Sequence, residues 1–317
     1  MSQLQTWADA PTTGAYTDNQ TAEVLKPAGF KSPLWMLAEK KRIASGESLT
    51  IPHYENLDLP TDATLTEDEV IPYSKLVLSA KKITASEKGR GLKVTIKDLN
   101  RTFWDLKAAH NEQLQENLRR EYNRTIRAAL ATMPVKYCTT GAAAGTFTTN
   151  GTPSGVATDD INIYHLQRVS NYMQDDLRVP FRDSGAYAAV FRQSAVFHIQ
   201  RDSEFQAYHA QQGLSPIANM AVGKIADIEI MPANDPEVVI KTLGSSNNIS
   251  EGFILGKQAV CLGYVQNFEI RYDFSQSKAT EMGRIGYMAY VGDYGVGLYS
   301  DSANAGSVRG VHFSSTS

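Results

Sequence analysis

Hydrophobic side chains recur every three or four residues from Phe103 to Met133. Phe103, Leu106, His110, Leu114, Leu118, Tyr122, Ile126, Leu130 and Met133 fall on one stripe of a helix, because positions three and four apart share a face. Thr102-Phe-Trp-Asp105 offers a start resembling a capping box, and Pro134 forbids continuation. Acidic Asp105, Glu112 and Glu116 precede basic Arg119, Arg120, Arg124 and Arg127, the order the helix dipole favours. The pattern predicts a helix over 102–133, roughly 45 Å long at 1.5 Å per residue. Helices in globular domains average about a dozen residues, so this one reads as a strut.

Upstream of the strut the period changes from helical to two. Leu92, Val94 and Ile96 alternate with Lys93, Thr95 and Lys97 after the turn Lys88-Gly-Arg-Gly91, which predicts a half-buried strand. Ile71 to Thr84 is also strand-like, and the two runs are expected to form a long ribbon. An isolated two-stranded ribbon is marginal in water, so this one needs support from outside its own domain. Replacing Leu92, Val94 and Ile96 by Ser is then expected to leave a folded subunit that has lost a contact. Residues 1–33 are polar and broken by Pro11, Gly14, Pro27, Gly29 and Pro33, the pattern of an extended arm. A helix from Leu34 to Ile43 should end at Ser45-Gly46.

Downstream, Thr139 to Thr158 is rich in Gly, Ala and Thr and predicts a surface loop or a weakly paired β excursion. A compact α/β region follows. Asp159 or Asp160 should cap a helix carrying Leu166, Val169, Met173 and Leu177, and a second helix should run from Ala195 to Gln212. Strands are expected at Ala186 to Phe191, around Ile228 and before Pro232, at Phe268 to Asp273 and at Ile285 to Val291, the last apolar on both faces and so central in a sheet. Gly292 to Gly297 reads as a turn, and the Ser- and Gly-rich last dozen residues as a fraying tail.

A chain of 317 residues can bury roughly three quarters of its unfolded surface, so it needs neither disulfide nor metal to hold a core. Cys138 and Cys261 are far apart, outside any C-x-x-C spacing, and read as reduced core residues. The formal charge of −3 excludes a global basic field for gripping nucleic acid. No run approaches the roughly 20 apolar residues that cross a bilayer, and the polar N-terminus lacks the pattern of a signal peptide.

Candidate chemistry is sparse. Gly252-Phe-Ile-Leu-Gly256-Lys-Gln258 is one residue short of a phosphate loop and lacks its Ser or Thr, and Gly292, Gly295 and Gly297 have the wrong order for a dinucleotide fingerprint. His53, His110, His165, His198, His209 and His312 show no metal-ligand spacing, and no nucleophile elbow occurs. Glu67-Asp-Glu69 and Asp175-Asp176 are adjacent carboxylates that diverge in direction. No catalytic, cofactor or metal site is expected. What stands out is charge separation along the ribbon, with Glu67, Asp68 and Glu69 near one end and Lys75, Lys81, Lys82, Lys88, Arg90, Lys93 and Lys97 along the rest. Copies packed side by side can set one end against the other, although edge lysines also protect strands from unwanted pairing.

The order of parts resembles the tailed-phage major capsid protein family: flexible arm, β ribbon, strut helix, compact α/β middle, returning strands. Glu251-Gly-Phe-Ile-Leu-Gly256-Lys-Gln-Ala259-Val resembles the phrase in which a strand, a Gly turn and a short apolar helix leave the axial domain. Arg284-Ile-Gly-Tyr-Met-Ala-Tyr-Val-Gly292-Asp-Tyr-Gly-Val is similar to strands returning along the peripheral domain, and Ala186 to Asn234 to the axial strand-helix-strand. The resemblance implies an α+β phage coat fold with an N-terminal arm over 1–45, an E-loop β-ribbon over 46–99 and a peripheral domain over 100–160 with spine helix 102–133. It further implies an axial domain over 161–262, and return strands with a C-terminal tail over 263–317.

On the same resemblance, the chain would assemble with itself into pentamers and hexamers of a virion capsid in the host bacterial cytoplasm. Its other partners would be a separate scaffolding protein, a portal protein at one vertex, a decoration protein, and enclosed double-stranded DNA held by weak non-specific contact, with no membrane. Glu67, Asp68, Glu69, Lys81, Lys82, Lys88, Arg90, Leu92, Val94 and Ile96 would make the intersubunit contact. Two alternatives stand beside it: an encapsulin-like nanocompartment shell, and an α+β enzyme or binding protein with no recognisable site.

Overall fold

A computed structural model of the chain describes residues 33–44, 46–54, 73, 78–97, 106–149, 157–211, 223–239, 249–275, 280–300, 303 and 306–316. The helices are α1 (Leu34–Leu37), α2 (Leu106–Leu130), α3 (Ile163–Asp175), α4 (Gln193–Arg201) and α5 (Ser203–Gln211). The strands are β1 (Glu39–Arg42), β2 (Ser48–Tyr54), β3 (Leu78–Thr84), β4 (Ser86–Thr95), β5 (Val135–Gly141), β6 (Ala144–Thr149), β7 (Tyr187–Arg192), β8 (Lys224–Ile225), β9 (Ile228–Ala233), β10 (Ile249–Leu255), β11 (Val260–Asp273), β12 (Ile285–Leu298) and β13 (Gly310–Thr316). They form a seven-stranded sheet in the order β6-β5-β13-β10-β7-β9-β8, a four-stranded sheet β1-β11-β12-β4, and a two-stranded ribbon β2-β3.

The seven-stranded sheet is buried on both faces. Tyr137, Ala189, Phe191, Ile254, Val311 and Phe313 meet α3 residues Leu166, Val169 and Met173 on one side. Their strand neighbours Ala188, Val190, Phe253 and Leu255 meet Ile126 and Leu130 of α2 on the other, as the alternation of side chains along a strand requires. The described part of α2 spans 25 residues, about 37 Å. Its N-terminal half rests on the four-stranded sheet, where Leu114 packs with Met288 and Tyr290. The cap expected at Thr102 to Asp105 lies outside the described residues.

Several elements differ from the sequence reading, each for a physical reason. The helix expected over Leu34 to Ile43 stops at Leu37, and Glu39–Arg42 becomes an edge strand parallel to β11. Its charged Glu-Lys-Lys-Arg run suits an edge that must not recruit strangers. Asn162, not Asp159 or Asp160, caps α3 by accepting from the His165 N–H. The single helix expected over 195–212 breaks at Asp202, whose carboxylate accepts from the N–H groups of Ile163 and Glu204 and so serves two helix starts. Strand β9 runs through Pro232, past the end of the short β8, where a missing N–H costs least.

The largest corrections concern the last third of the chain. Gly310–Thr316, expected to fray, is a buried strand between antiparallel β10 and parallel β5. Its small residues are there for fit, since a Cβ on Gly310 would lie 2.7 Å from the Ile254 carbonyl oxygen. The stretch from Thr139, expected as a surface loop or a weakly paired β excursion, takes the second form as the end of β5 and its exposed hairpin partner β6, while 150–156 fall outside the described residues. The turn at Gly256 is present, but it leads into strand β11 and not into a short helix. Strand β12 continues through the glycines of 292–297 instead of turning. In consequence, both the 100–160 segment and the 263–317 segment contribute strands to the seven-stranded sheet.

Candidate functional site

The ribbon is where this chain departs most from a self-contained globule. Strands β2 and β3 pair with each other from Ser48 opposite Thr84 to Tyr54 opposite Leu78, and belong to neither larger sheet. The described part of the ribbon packs on the rest of the chain. There Ile51 and Ile83 are buried against Cys261 and Tyr299, with Leu49 alongside, and His53 hydrogen-bonds the Ser307 hydroxyl at 2.8 Å. Two glycines of β12 allow this approach. A Cβ on Gly295 would lie 2.1 Å from the Thr84 carbonyl oxygen, and one on Gly297 would lie 2.8 Å from Ile83 Cγ1.

The sequence reading paired the Ile71–Thr84 run with the Leu92–Ile96 strand, and the structure separates them. Strand β4 leaves the ribbon after Ala85 and pairs antiparallel with β12, from Thr95 opposite Ile285 to Ser86 opposite Tyr294. Val94 is 1% exposed. Leu92 is half-buried against the Leu114, Met288 and Tyr290 cluster, and Ile96 is half-buried with its N–H donating to the Arg284 carbonyl. Val94 therefore packs within its own subunit and offers no free surface, whereas Leu92 and Ile96 each keep part of the side chain exposed. The period-2 pattern identified a half-buried strand correctly but could not say which sheet would bury it.

Lys88 is also turned inward. Its ammonium donates to Thr125 Oγ1 at 3.1 Å, stands 4.0 Å from Glu121 and lies 4.7 Å over the Tyr294 ring. Burial holds its pKa below the ordinary lysine value, with Glu121 opposing that shift. Lys82 and Arg90 are exposed and Lys81 is half-buried. Glu67, Asp68 and Glu69 lie outside the described residues.

Several other titratable groups among the described residues are buried or paired. Cys138 and Cys261 are buried free thiols, both pushed up to about 11 by desolvation. His165 is enclosed and bonded to the Tyr137 hydroxyl at 2.8 Å, and burial lowers its pKa. His198 sits 3.1 Å from Asp160. Among the described residues no three His, Cys, Asp or Glu side chains converge as metal ligands, and no helix is long and apolar enough to cross a membrane. A cleft of about 240 Å³ holds buried Asp235 beside Arg119 and Arg120, but Asp235 is engaged by the Glu237 N–H at 3.0 Å and faces Arg120 at 3.5 Å.

Comparison with solved structures covers almost the whole of this arrangement. The Cyanophage Pam1 capsid asymmetric unit matches with a TM-score of 0.70 at 14% identity, over 95% of this chain and 96% of that one. A capsid structure of cyanophage P-SCSP1u matches with a TM-score of 0.68 at 12% identity, over 95% and 93%. The acid-stable capsid structure of Helicobacter pylori bacteriophage KHP30 matches with a TM-score of 0.68 at 15% identity, over 95% of both chains. The chain has the tailed-phage capsid fold. No protein-family model matches it, and no curated protein does. At such low identity the capsid fold is carried by the placement of ribbon, long helix and two sheets, and scarcely by residue identity.

Proposed function

We propose that this chain is the major capsid protein of a tailed bacteriophage, a structural subunit that assembles with itself and carries out no chemistry. The observation that carries the reading is the likeness to phage capsid chains across about 95% of the length. In this reading the subunit forms the pentamers and hexamers of an icosahedral head around double-stranded DNA, in a virion built in the host cytoplasm. The β2-β3 ribbon is the E-loop, narrower than the 46–99 span expected, since β4 belongs to the four-stranded sheet. That sheet with α2 is the peripheral domain, and the seven-stranded sheet with α3 to α5 is the axial domain.

In this reading the ribbon, which pairs with neither larger sheet, finds further cover on a neighbouring copy. Apolar area buried there contributes roughly 25 cal/mol per Å² before ordering costs, and closed symmetry repeats each modest contact around the shell. Lys82 and Arg90 remain candidates for that contact, with Glu67, Asp68 and Glu69 as their complement. A separate scaffolding protein, a portal at one vertex and a decoration protein complete the partners. The test is expression alone and with the neighbouring gene products, followed by electron microscopy and sedimentation. Closed shells of megadalton mass are expected, and a species confined to about 35–140 kDa under every condition would overturn the proposal. DNA rather than cargo protein inside purified particles separates a phage head from a nanocompartment.

A further inference from the structure

Beneath the C-terminal half of α2, the partly exposed Arg127 reaches a carboxylate and an imidazole that are both buried. Arg127 donates to Glu251 Oε2 from Nε at 3.0 Å and from a terminal nitrogen at 2.7 Å. On the other side, Nε2 of His312 lies 3.4 Å from Oε1 of the same carboxylate. Glu251 is 4% exposed and His312 2%, and the imidazole stacks on Phe253 with ring centroids 5.1 Å apart. Sheet register sets this geometry. Phe253 stands opposite His312 and Glu251 opposite Ser314, so Glu251 and His312 are diagonal neighbours on one face.

The surroundings of this carboxylate are basic. Lys136 of β5 is in register with His312, and Arg192 lies two residues beyond Val190, the β7 partner of Phe253, on the same face. Arg124, one turn earlier on α2, is turned away to Glu121. A carboxylate taken out of water persists only while cations and donors hold it. Burial alone would push Glu251 up, but its neighbours His312 and Arg127 outweigh it and keep its carboxyl below the usual range.

We propose that Arg127, Glu251 and His312 form a charge clamp that makes the seating of the long helix on the seven-stranded sheet depend on pH. At neutral pH the ionised carboxylate anchors Arg127, and His312 acts as a positioning residue that holds Oε1 so that Oε2 faces the helix. When acid protonates Glu251, Arg127 loses its buried counter-charge, and the last turns of α2 lift from the sheet. A carboxylate depressed in the folded state gives stability that is present at neutral pH and lost as pH falls through its folded value. The clamp is a property of the single subunit and stands apart from the capsid reading.

Hydrogen exchange of residues 119–133 in the full-length protein, stepped from pH 7 to pH 3 and corrected for intrinsic rates, tests it. Protection should fall by about tenfold per pH unit once Glu251 titrates. Glu251→Gln should show weaker protection at pH 7 and lack that slope, and His312→Asn should cut the total loss of protection between pH 7 and pH 3 by about threefold or more, because its fall ends at a higher pH. Parallel profiles for wild type and Glu251→Gln would overturn the clamp, and an unchanged total loss in His312→Asn would remove His312 from it. If Glu251→Gln does not fold, Arg127→Lys takes its place. That variant keeps the charge but loses the two-pronged bond, so its total loss of protection on acidification must shrink, and an unchanged loss overturns the proposal.

Discussion

Replacing Gly295 by Ala should detach the ribbon while leaving both sheets folded. The added Cβ would sit 2.1 Å from the Thr84 carbonyl oxygen and 2.8 Å from its carbon, whereas nonbonded carbon contacts are comfortable at about 3.5 Å. The obstacle is backbone in a paired strand, so it cannot swing aside as a side-chain tip would, and β3 must retreat by more than about 1 Å. Gly295 is not among the residues with positive φ, so the substitution adds bulk without backbone strain. Retreat exposes Ile51 and Ile83, which form a cluster separate from the cores of the two sheets. At about 1.5–3 kcal/mol for each buried aliphatic side chain, the ribbon root loses about 3–6 kcal/mol, or two to four orders of magnitude in exchange protection over 48–54 and 78–84. Hydrogen exchange resolved by peptide measures this directly, with thermal unfolding of the body as companion. Gly263→Ala is the control at the same root, because its Cβ would meet Ile43 and Leu49 side chains at an ordinary 3.4–3.5 Å. Equal protection in the two variants would refute the argument that β3 is held by direct approach to β12.

Three further outcomes follow from burial. Replacing Leu92, Val94 and Ile96 together by Ser should destabilise the isolated subunit by about 3–6 kcal/mol, read as a lowered urea midpoint; a subunit of normal stability that merely fails to assemble would restore the contact reading of that strand. Phe313→Ala, in the penultimate turn of sequence but within the core of the seven-stranded sheet, should cost about 3–5 kcal/mol, and a thermal midpoint within a degree of the parent would contradict the placement of β13. Cys138 and Cys261, with thiols raised to about 11 from an ordinary value near 8.5, should react with iodoacetamide more than about a hundredfold slower than free cysteine at pH 8, with the rate rising about tenfold per pH unit; fast labelling of the folded protein at pH 8 would show that neither is enclosed.

What was legible in the sequence is what local periodicity encodes. The stripe ending at Ile126, Leu130 and Met133 announced α2 because nine positions repeat it, and Ile285 to Val291 announced a central strand because both its faces are apolar. Partner choice was not legible. Strand β4 finds β12 almost two hundred residues away, and period 2 says that a strand is half-buried without saying by what. Composition misled where small residues serve close packing. Gly292, Gly295 and Gly297 read as a turn, and Gly310 with Ser314 and Ser315 read as a tail, yet all lie in strands. The inward turn of Lys88 had no local signal at all, since Thr125, Glu121 and Tyr294 are distant in sequence.

The separation of ribbon from sheet at Ala85 gives the fold its mechanical logic. A single residue divides the end of β3 at Thr84 from the start of β4 at Ser86, and its N–H is fixed to the Glu47 carbonyl at 2.7 Å. One residue leaves no slack, so a displacement of the ribbon is delivered to β4. From there it has two routes inward, the ladder to β12 and the Lys88 ammonium on Thr125 and Glu121 of α2. That helix is in turn held to the seven-stranded sheet by Ile126, Leu130 and the Arg127–Glu251 pair. Covalent continuity, strand pairing and buried charge thus join the ribbon to the seven-stranded sheet by way of the long helix.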